Sequence, residues 1–153
     1  MKKIWMAILA SLFIAGVTGI AFPTESGTSQ EAVVMVQKAI AYIKAHGQEK
    51  GLAEISNPKG PFVDRDLYVT VYDMNGKCLA HGANSKMIGK DLIDLKDPDG
   101  RPFVKERVET AKTKDKFWID YKFTNPVSKK IEPKSMYCER AGDMLVSCGI
   151  YKK

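Results

Sequence analysis

A chain of 153 residues that is 44% hydrophobic and 27% charged has room for one folded domain, and its composition is that of a globular protein rather than a disordered one. Its formal charge of +6 includes Lys2 and Lys3 of an N-terminal leader, which leaves +4 for the remainder. The other lysines are interspersed with acids, as in Lys105-Glu106-Arg107, and no basic run is interleaved with aromatics, which argues against a nucleic-acid platform.

The leader has the positive pair Lys2-Lys3, an apolar region from Ile4 to Ile20, and Gly19 and Ala21 at the small-residue positions before Phe22-Pro23. This reads as a secretory signal peptide over residues 1–21, with one domain over 22–153. A retained membrane anchor is the alternative, because the apolar run is about the shortest that could span a bilayer. Cleavage would leave the product periplasmic or secreted. No second stretch approaches membrane length and no signalling helix follows Tyr151, so the expected mature form is free-standing.

Ala32, Val33, Val36, Ala39, Ile40 and Ile43 recur at helical spacing, Thr28 with Glu31 has capping-box form, and Gly47 suits the end of that helix. Gln48 to Ile55 reads as a second short helix, stopped by Asn57-Pro58. Leu67 to Ala80 then reads as a β-hairpin around Asp73-Met74-Asn75-Gly76, closing on His81. Two registers are open. An Asn-Gly two-residue loop sets Thr70 opposite His81 and Tyr72 opposite Leu79; a type I turn with Gly76 as the bulge residue sets Val69 opposite His81 and Val71 opposite Leu79. In either case Leu67, Val69 and Val71 share one face, and Tyr68, Thr70 and Tyr72 share the other. An aromatic, hydroxyl-bearing second face is unusual for a sheet that meets only water.

Met87 to Leu95 forms an irregular apolar loop, a candidate pocket lid. Asp97-Pro98-Asp99-Gly100 is turn chemistry, read with a helix N-cap, ahead of a helix from about Pro102 to Lys112 whose apolar side holds Phe103, Val104, Val108 and Ala111. The acids around this turn lack the ligand spacing of an EF-hand loop. Three extended runs finish the chain. In Phe117 to Phe123, the residues Phe117, Ile119, Tyr121 and Phe123 alternate with Trp118, Asp120 and Lys122; Ile131 to Arg140 and Met144 to Tyr151 form a last hairpin. The five strands are expected to be antiparallel.

Cys78, Cys138 and Cys148 all follow the leader, where an oxidising compartment would let two of them pair. A three-residue loop from Gly142 to Met144 would set Cys138 directly opposite Cys148, where they could form a disulfide; the alternative is three small buried thiols. No C-x-x-C pair, haem-attachment spacing or clustered His suggests a metal, haem or redox cofactor, and none is expected. There is also no nucleophile elbow, phosphate-cradling glycine loop or paired-carboxylate site, so the chain does not read as an enzyme.

Tyr68 to Asp73, the Asp73-x-Asn75-Gly76 turn, His81, Gly89-Lys90, Asp97-Pro98-Asp99-Gly100, Tyr121, Pro133-Lys134-Ser135-x-Tyr137 and Cys148-Gly149-Ile150-Tyr151 together resemble the single Cache domain. This is the PAS-like extracytoplasmic sensor module of bacterial chemoreceptors and histidine kinases. The resemblance covers roughly Thr28 to Tyr151. It implies an α+β fold in which a long N-terminal helix packs on one side of a five-stranded antiparallel sheet. A small pocket for short-chain organic acids would lie on the other side, beneath the loop-and-helix segment. Carried onto this sequence, the ligand-binding candidates are Tyr68, Thr70 and Tyr72 on the first strand, His81, then Trp118, Tyr121 and Phe123, and Lys134 with Tyr137. A carboxylate taken out of water needs a cation and hydrogen-bond donors, which Lys134, His81 and the tyrosines can supply.

The chain departs from the family's pattern at Gly82, where relatives often have Pro after the pocket His, and at Thr70 and Phe123, where they often have Trp. The resemblance implies a binding module for a small carboxylate, acting in signal sensing through a membrane-bound receptor or kinase. The alternative is an accessory periplasmic protein that docks on a membrane sensor or transporter and binds no small ligand.

Overall fold

The structure is a computed structural model that describes residues 26–152. The leader and its cleavage site lie outside the described residues. Helix α1, Ser29–His46, begins with the expected capping box: Glu31 N–H donates to Thr28 Oγ1 at 3.2 Å, and Thr28 N–H donates to Glu31 Oε2 at 2.7 Å. Its stripe of Ala32, Val36, Ala39, Ile40 and Ile43 is buried. Helix α2, Gln48–Ile55, follows at once and ends at Ser56, just ahead of Asn57-Pro58.

The strands are β1 (Val63–Asp64), β2 (Leu67–Asp73), β3 (Cys78–His81), β4 (Lys116–Thr124), β5 (Ile131–Ala141) and β6 (Met144–Tyr151), with helix α3 (Phe103–Ala111) before β4. They form one antiparallel sheet in the order β1-β2-β6-β5-β4, with β3 also paired to β2. To the five expected strands the structure adds the two-residue β1. The chain's last strand lies mid-sheet, between β2 and β5, so β2 gains partners on both edges. That suits a strand buried on both faces from Leu67 to Tyr72.

The β2–β3 hairpin uses both registers that the sequence left open. At the turn, Asp73 N–H donates to Lys77 O and Gly76 takes a φ of +90°, the type I turn with a left-handed bulge residue. One step further on, Tyr72 pairs with Cys78 but Val71 pairs with Ala80, so Leu79 is an extra, bulged residue. The shift restores Thr70 opposite His81 and puts both on one face.

Two cores result. On one face Leu67, Val69, Val71, Val146 and Cys148 pack under α1 and α2; on the other, Tyr72, Phe117, Ile119, Tyr121 and Met136 pack under Phe103, Val104 and Ala111 of α3. Met87, Leu92 and Leu95 of the preceding loop pack against the edge of this second core, and that loop runs back along β3 through the Cys78–Lys90 and Gly89–Cys78 backbone bonds. Asp97 does not cap α3. Its carboxylate accepts N–H bonds from Asp99, Arg101 and Lys122, tying the turn to β4 instead.

The Cys138–Cys148 disulfide is corrected. The β5–β6 hairpin turns on two residues, not three, because Ala141 pairs with Met144 and Gly142 adopts a φ of +66°. Cys138 is therefore opposite Ser147, and Cys148 is opposite Tyr137. A one-residue change of register sends a side chain to the other face, so Cys138 lies in the α3-side core and Cys148 in the α1-side core, and all three thiols are free and buried.

Candidate functional site

The alternation of β2 places Tyr68, Thr70 and Tyr72 on the α3 side of the sheet, and the hairpin register adds His81. Together with Tyr121 and Phe123 of β4, Met136 of β5, and Phe103 and Arg107 of α3, they enclose a small cavity. As it stands it has room for about one water molecule.

In the sequence Arg107 reads as one basic residue of a mixed-charge surface run, and the structure places it inside. Its side chain is 1% exposed and points into the cavity lining. The guanidinium carbon lies 5.1 Å from the Tyr72 ring centre, 5.7 Å from that of Phe103 and 5.6 Å from that of Tyr121. Nε and Nη1 have no hydrogen-bond partner. A signal for it was present: Phe103, Arg107 and Ala111 are spaced i, i+4, i+8, which puts the arginine in the middle of the buried stripe of α3.

Lys134 stands beside the cavity, behind Tyr68, and is 0% exposed. Its Nζ donates to Tyr68 Oη at 2.8 Å and to Tyr151 Oη at 3.3 Å, and lies 3.9 Å from the centre of the Tyr68 ring. Tyr151 Oη in turn donates to the Thr124 carbonyl at 2.7 Å, so in the 3.2 Å contact between the two phenols Tyr68 is the donor. An ammonium carries three donors, and this relay uses two of them. Burial, with Arg107 nearby, pushes Lys134 down to about 7. Among the described residues no carboxylate lies within ion-pair distance of Arg107 or Lys134.

His81 is neutral. Burial first, then Lys134 and Arg107, hold it down at about 3, while its Nδ1 accepts N–H bonds from Ala83 at 3.2 Å and Asn84 at 3.0 Å. That fixes the proton on Nε2, which makes the ring a donor on its other side. The imidazole lies against Tyr68, with ring centres 5.1 Å apart. Burial also raises the phenols of Tyr68 and Tyr121, the latter to about 12, so both stay protonated as donors at neutral pH.

Of the nine candidates named from sequence, Trp118 and Tyr137 lie elsewhere. They are cross-strand partners on the opposite face of the sheet; Trp118 is 41% exposed, its ring 5.4 Å from that of Tyr137, and Tyr137 packs in the α1-side core with its hydroxyl donating to Glu139. Period-two alternation dictates this, since neither residue shares parity with the Tyr121 and Phe123 of its sheet row or with Lys134.

Gly149 lets Lys134 reach β2. A Cβ there would sit 2.7 Å from Lys134 Cε and 2.8 Å from the Ser135 carbonyl. Gly149→Ala is therefore expected to destabilise the fold by about 2 kcal/mol, an overpacking cost, measured as a lower urea midpoint. An unchanged midpoint would show that the lysine stem can move aside freely.

The family model described as single Cache domain 2 matches residues 24–153. The chain belongs to that family. Among solved structures this Cache domain is similar to a methyl-accepting chemotaxis protein of Vibrio parahaemolyticus, with 24% identity and a TM-score of 0.68 over 80% of this chain and 86% of that one. It is also similar to a structure described as "Structural basis for carboxylic acid recognition by a Cache chemosensory domain", with 24% identity and a TM-score of 0.69 over 82% and 93% of the two chains. At these identities the likeness speaks for the fold. Over 90 residues, 58% of this chain, the sequence is 28% identical to the methyl-accepting chemotaxis protein McpP of Pseudomonas putida, and the match spans 16% of that protein.

Proposed function

We propose that this Cache domain is an extracytoplasmic sensor module that binds a short-chain carboxylate and reports it through a membrane-bound receptor or kinase. The observation that carries this reading is Arg107, a buried cation with unpartnered donors aimed into a cavity that holds no acid. Removing a guanidinium from water costs several kcal/mol unless an anion and hydrogen bonds compensate. Its planar fork suits a carboxylate, held by two parallel bonds. Lys134, the Nε2–H of neutral His81 and the phenols would add positive potential and donors, while Phe103, Phe123 and Met136 would wall off a short apolar tail. Permanent donors without a paired acid and base favour binding over turnover.

The cavity is too tight to admit even a small acid as it stands, so entry requires the rings of α3 and β4 to separate. Ligand binding and displacement of α3 are then one event, which is what a sensor needs for output. The leader read from the sequence supports export, and the chemoreceptor relatives support a signalling role.

Isothermal titration of the purified domain with acetate, propionate, lactate and pyruvate tests this reading. Saturable heat from at least one acid is expected. If none gives heat and the folded protein co-purifies with a membrane protein, the domain is an accessory module that docks on a membrane sensor or transporter and binds no small ligand.

A further inference from the structure

Two buried hydroxyls have no partner, one lining the cavity and the other beside it across the strand pair. Thr70 Oγ1 and Ser147 Oγ are buried, and neither makes a hydrogen bond. Thr70 of β2 and Ser147 of β6 are direct cross-strand partners, so their side chains rise next to each other from the same face. The row across the sheet runs His81, Thr70, Ser147, Cys138, Phe117. Thr70 lines the cavity along with His81 and Arg107, and Ser147 is the next side chain in from it. A sheet that needed only packing here would be better served by Val and Ala, which fill the same space without burying a polar group that forms no bond.

We infer that the site selects short carboxylic acids with an oxygen on the carbon next to the carboxylate, 2-hydroxy or 2-oxo acids, and that Thr70 and Ser147 hold that oxygen. The inference rests on the carboxylate reading above and sharpens it. Arg107 reaches the cavity from α3 and Thr70 from the sheet, with Ser147 beside it, so a carboxylate on the guanidinium can turn its neighbouring oxygen towards the hydroxyls. A hydroxyl both donates and accepts, so the pair can donate to a ketone or accept from an alcohol. An unsubstituted acid brings a methylene to the same place and leaves both hydroxyls unbonded in a dry site. A site built to bond an oxygen rejects the analogue that lacks it more strongly than an apolar pocket rejects an extra methyl group.

The test is titration calorimetry with lactate, pyruvate and propionate, acids of similar size, against the wild-type domain and the Thr70→Val and Ser147→Ala variants. In the wild type, lactate or pyruvate is expected to bind about tenfold or more tightly than propionate, the ratio that corresponds to one buried hydrogen bond left unmade. In each variant that ratio should shrink by about threefold or more while propionate affinity holds or improves. Propionate binding the wild type as tightly as both oxygenated acids overturns the inference while leaving the carboxylate site standing, as does a preference that survives both substitutions. Heat from none of the three acids overturns this inference, and heat from none of them nor from acetate overturns the carboxylate reading itself. The wild-type ranking alone decides the case should either variant fail to fold.

Discussion

Replacing Arg107 with methionine is expected to raise the melting temperature of the ligand-free domain and to remove its carboxylate binding. The two effects have one cause. A fully buried guanidinium with free Nε and Nη1 donors and no neighbouring acid is desolvated without compensation, and replacing buried charge with an apolar side chain of similar length typically gains about 1–4 kcal/mol. For a domain of this size that is a rise of roughly 3–12 °C. Against it stand the contacts of the cation with the rings of Tyr72, Phe103 and Tyr121 at 5.1–5.7 Å, each worth about 0.5–2 kcal/mol. Methionine keeps much of that contact, because its sulfur also packs favourably on aromatic rings, so the desolvation cost decides the sign. Losing the fork that meets the carboxylate should weaken binding by about a hundredfold or more. Thermal melts with and without acid, beside calorimetry, read both quantities. A variant that melts several degrees lower and still binds would make Arg107 a packing residue.

Local chemistry was legible in the sequence wherever a single element settles it. The capping box at Thr28 and Glu31, the end of α1 at Gly47, and the two-faced character of β2 follow from residues that act on their own neighbours. Register was not legible, because it depends on how a turn and a bulge combine: Leu79 adds one residue to β3, and Gly142-Asp143 closes β5–β6 in two residues. Each single-residue difference decides which face a side chain occupies, which is why Cys138 and Cys148 were set together and are in fact on opposite faces. Trp118 and Tyr137 are a different case, since the alternation of β4 already separated Trp118 from Tyr121. A family pocket assigned by strand alone, without that parity, takes in both, although they lie on the α1 side of the sheet. Arg107 was hidden for a third reason. In a run of Lys105-Glu106-Arg107 charge reads as surface, and only the helical stripe through Phe103 and Ala111 shows that one of the three points inward.

Affinity for a carboxylate is expected to fall by about tenfold as pH rises from 6 to 9, and Lys134→Met should flatten that dependence. Lys134 faces Tyr68 from β2, Tyr151 from β6, Tyr121 and Phe123 from β4, Arg107 from α3 and His81 from β3, with Cys148 and Asp66 beyond them. Of these, Arg107 keeps its charge throughout, His81 is already neutral above about 3, and burial holds Tyr68, Tyr121 and Cys148 protonated through this range. Lys134, held down at about 7, is the group that changes charge in the window. An anion beside Arg107 offsets the repulsion that the guanidinium exerts on the ammonium, so binding draws a proton onto Lys134; a shift of one pKa unit corresponds to a tenfold change in affinity across the titration. The stability of the ligand-free domain must run the opposite way. Because the folded state holds Lys134 below its ordinary value, the unfolded chain binds more protons above pH 7, and stability rises from pH 7 towards 9 before the thiols and phenols of the unfolded chain begin to ionise. Calorimetry in two buffers of different ionisation enthalpy would count the proton taken up at pH 8. Affinity that stays level from pH 6 to 9, with no proton uptake, would place the bound anion out of reach of Lys134 and leave the lysine as a support for Tyr68 alone.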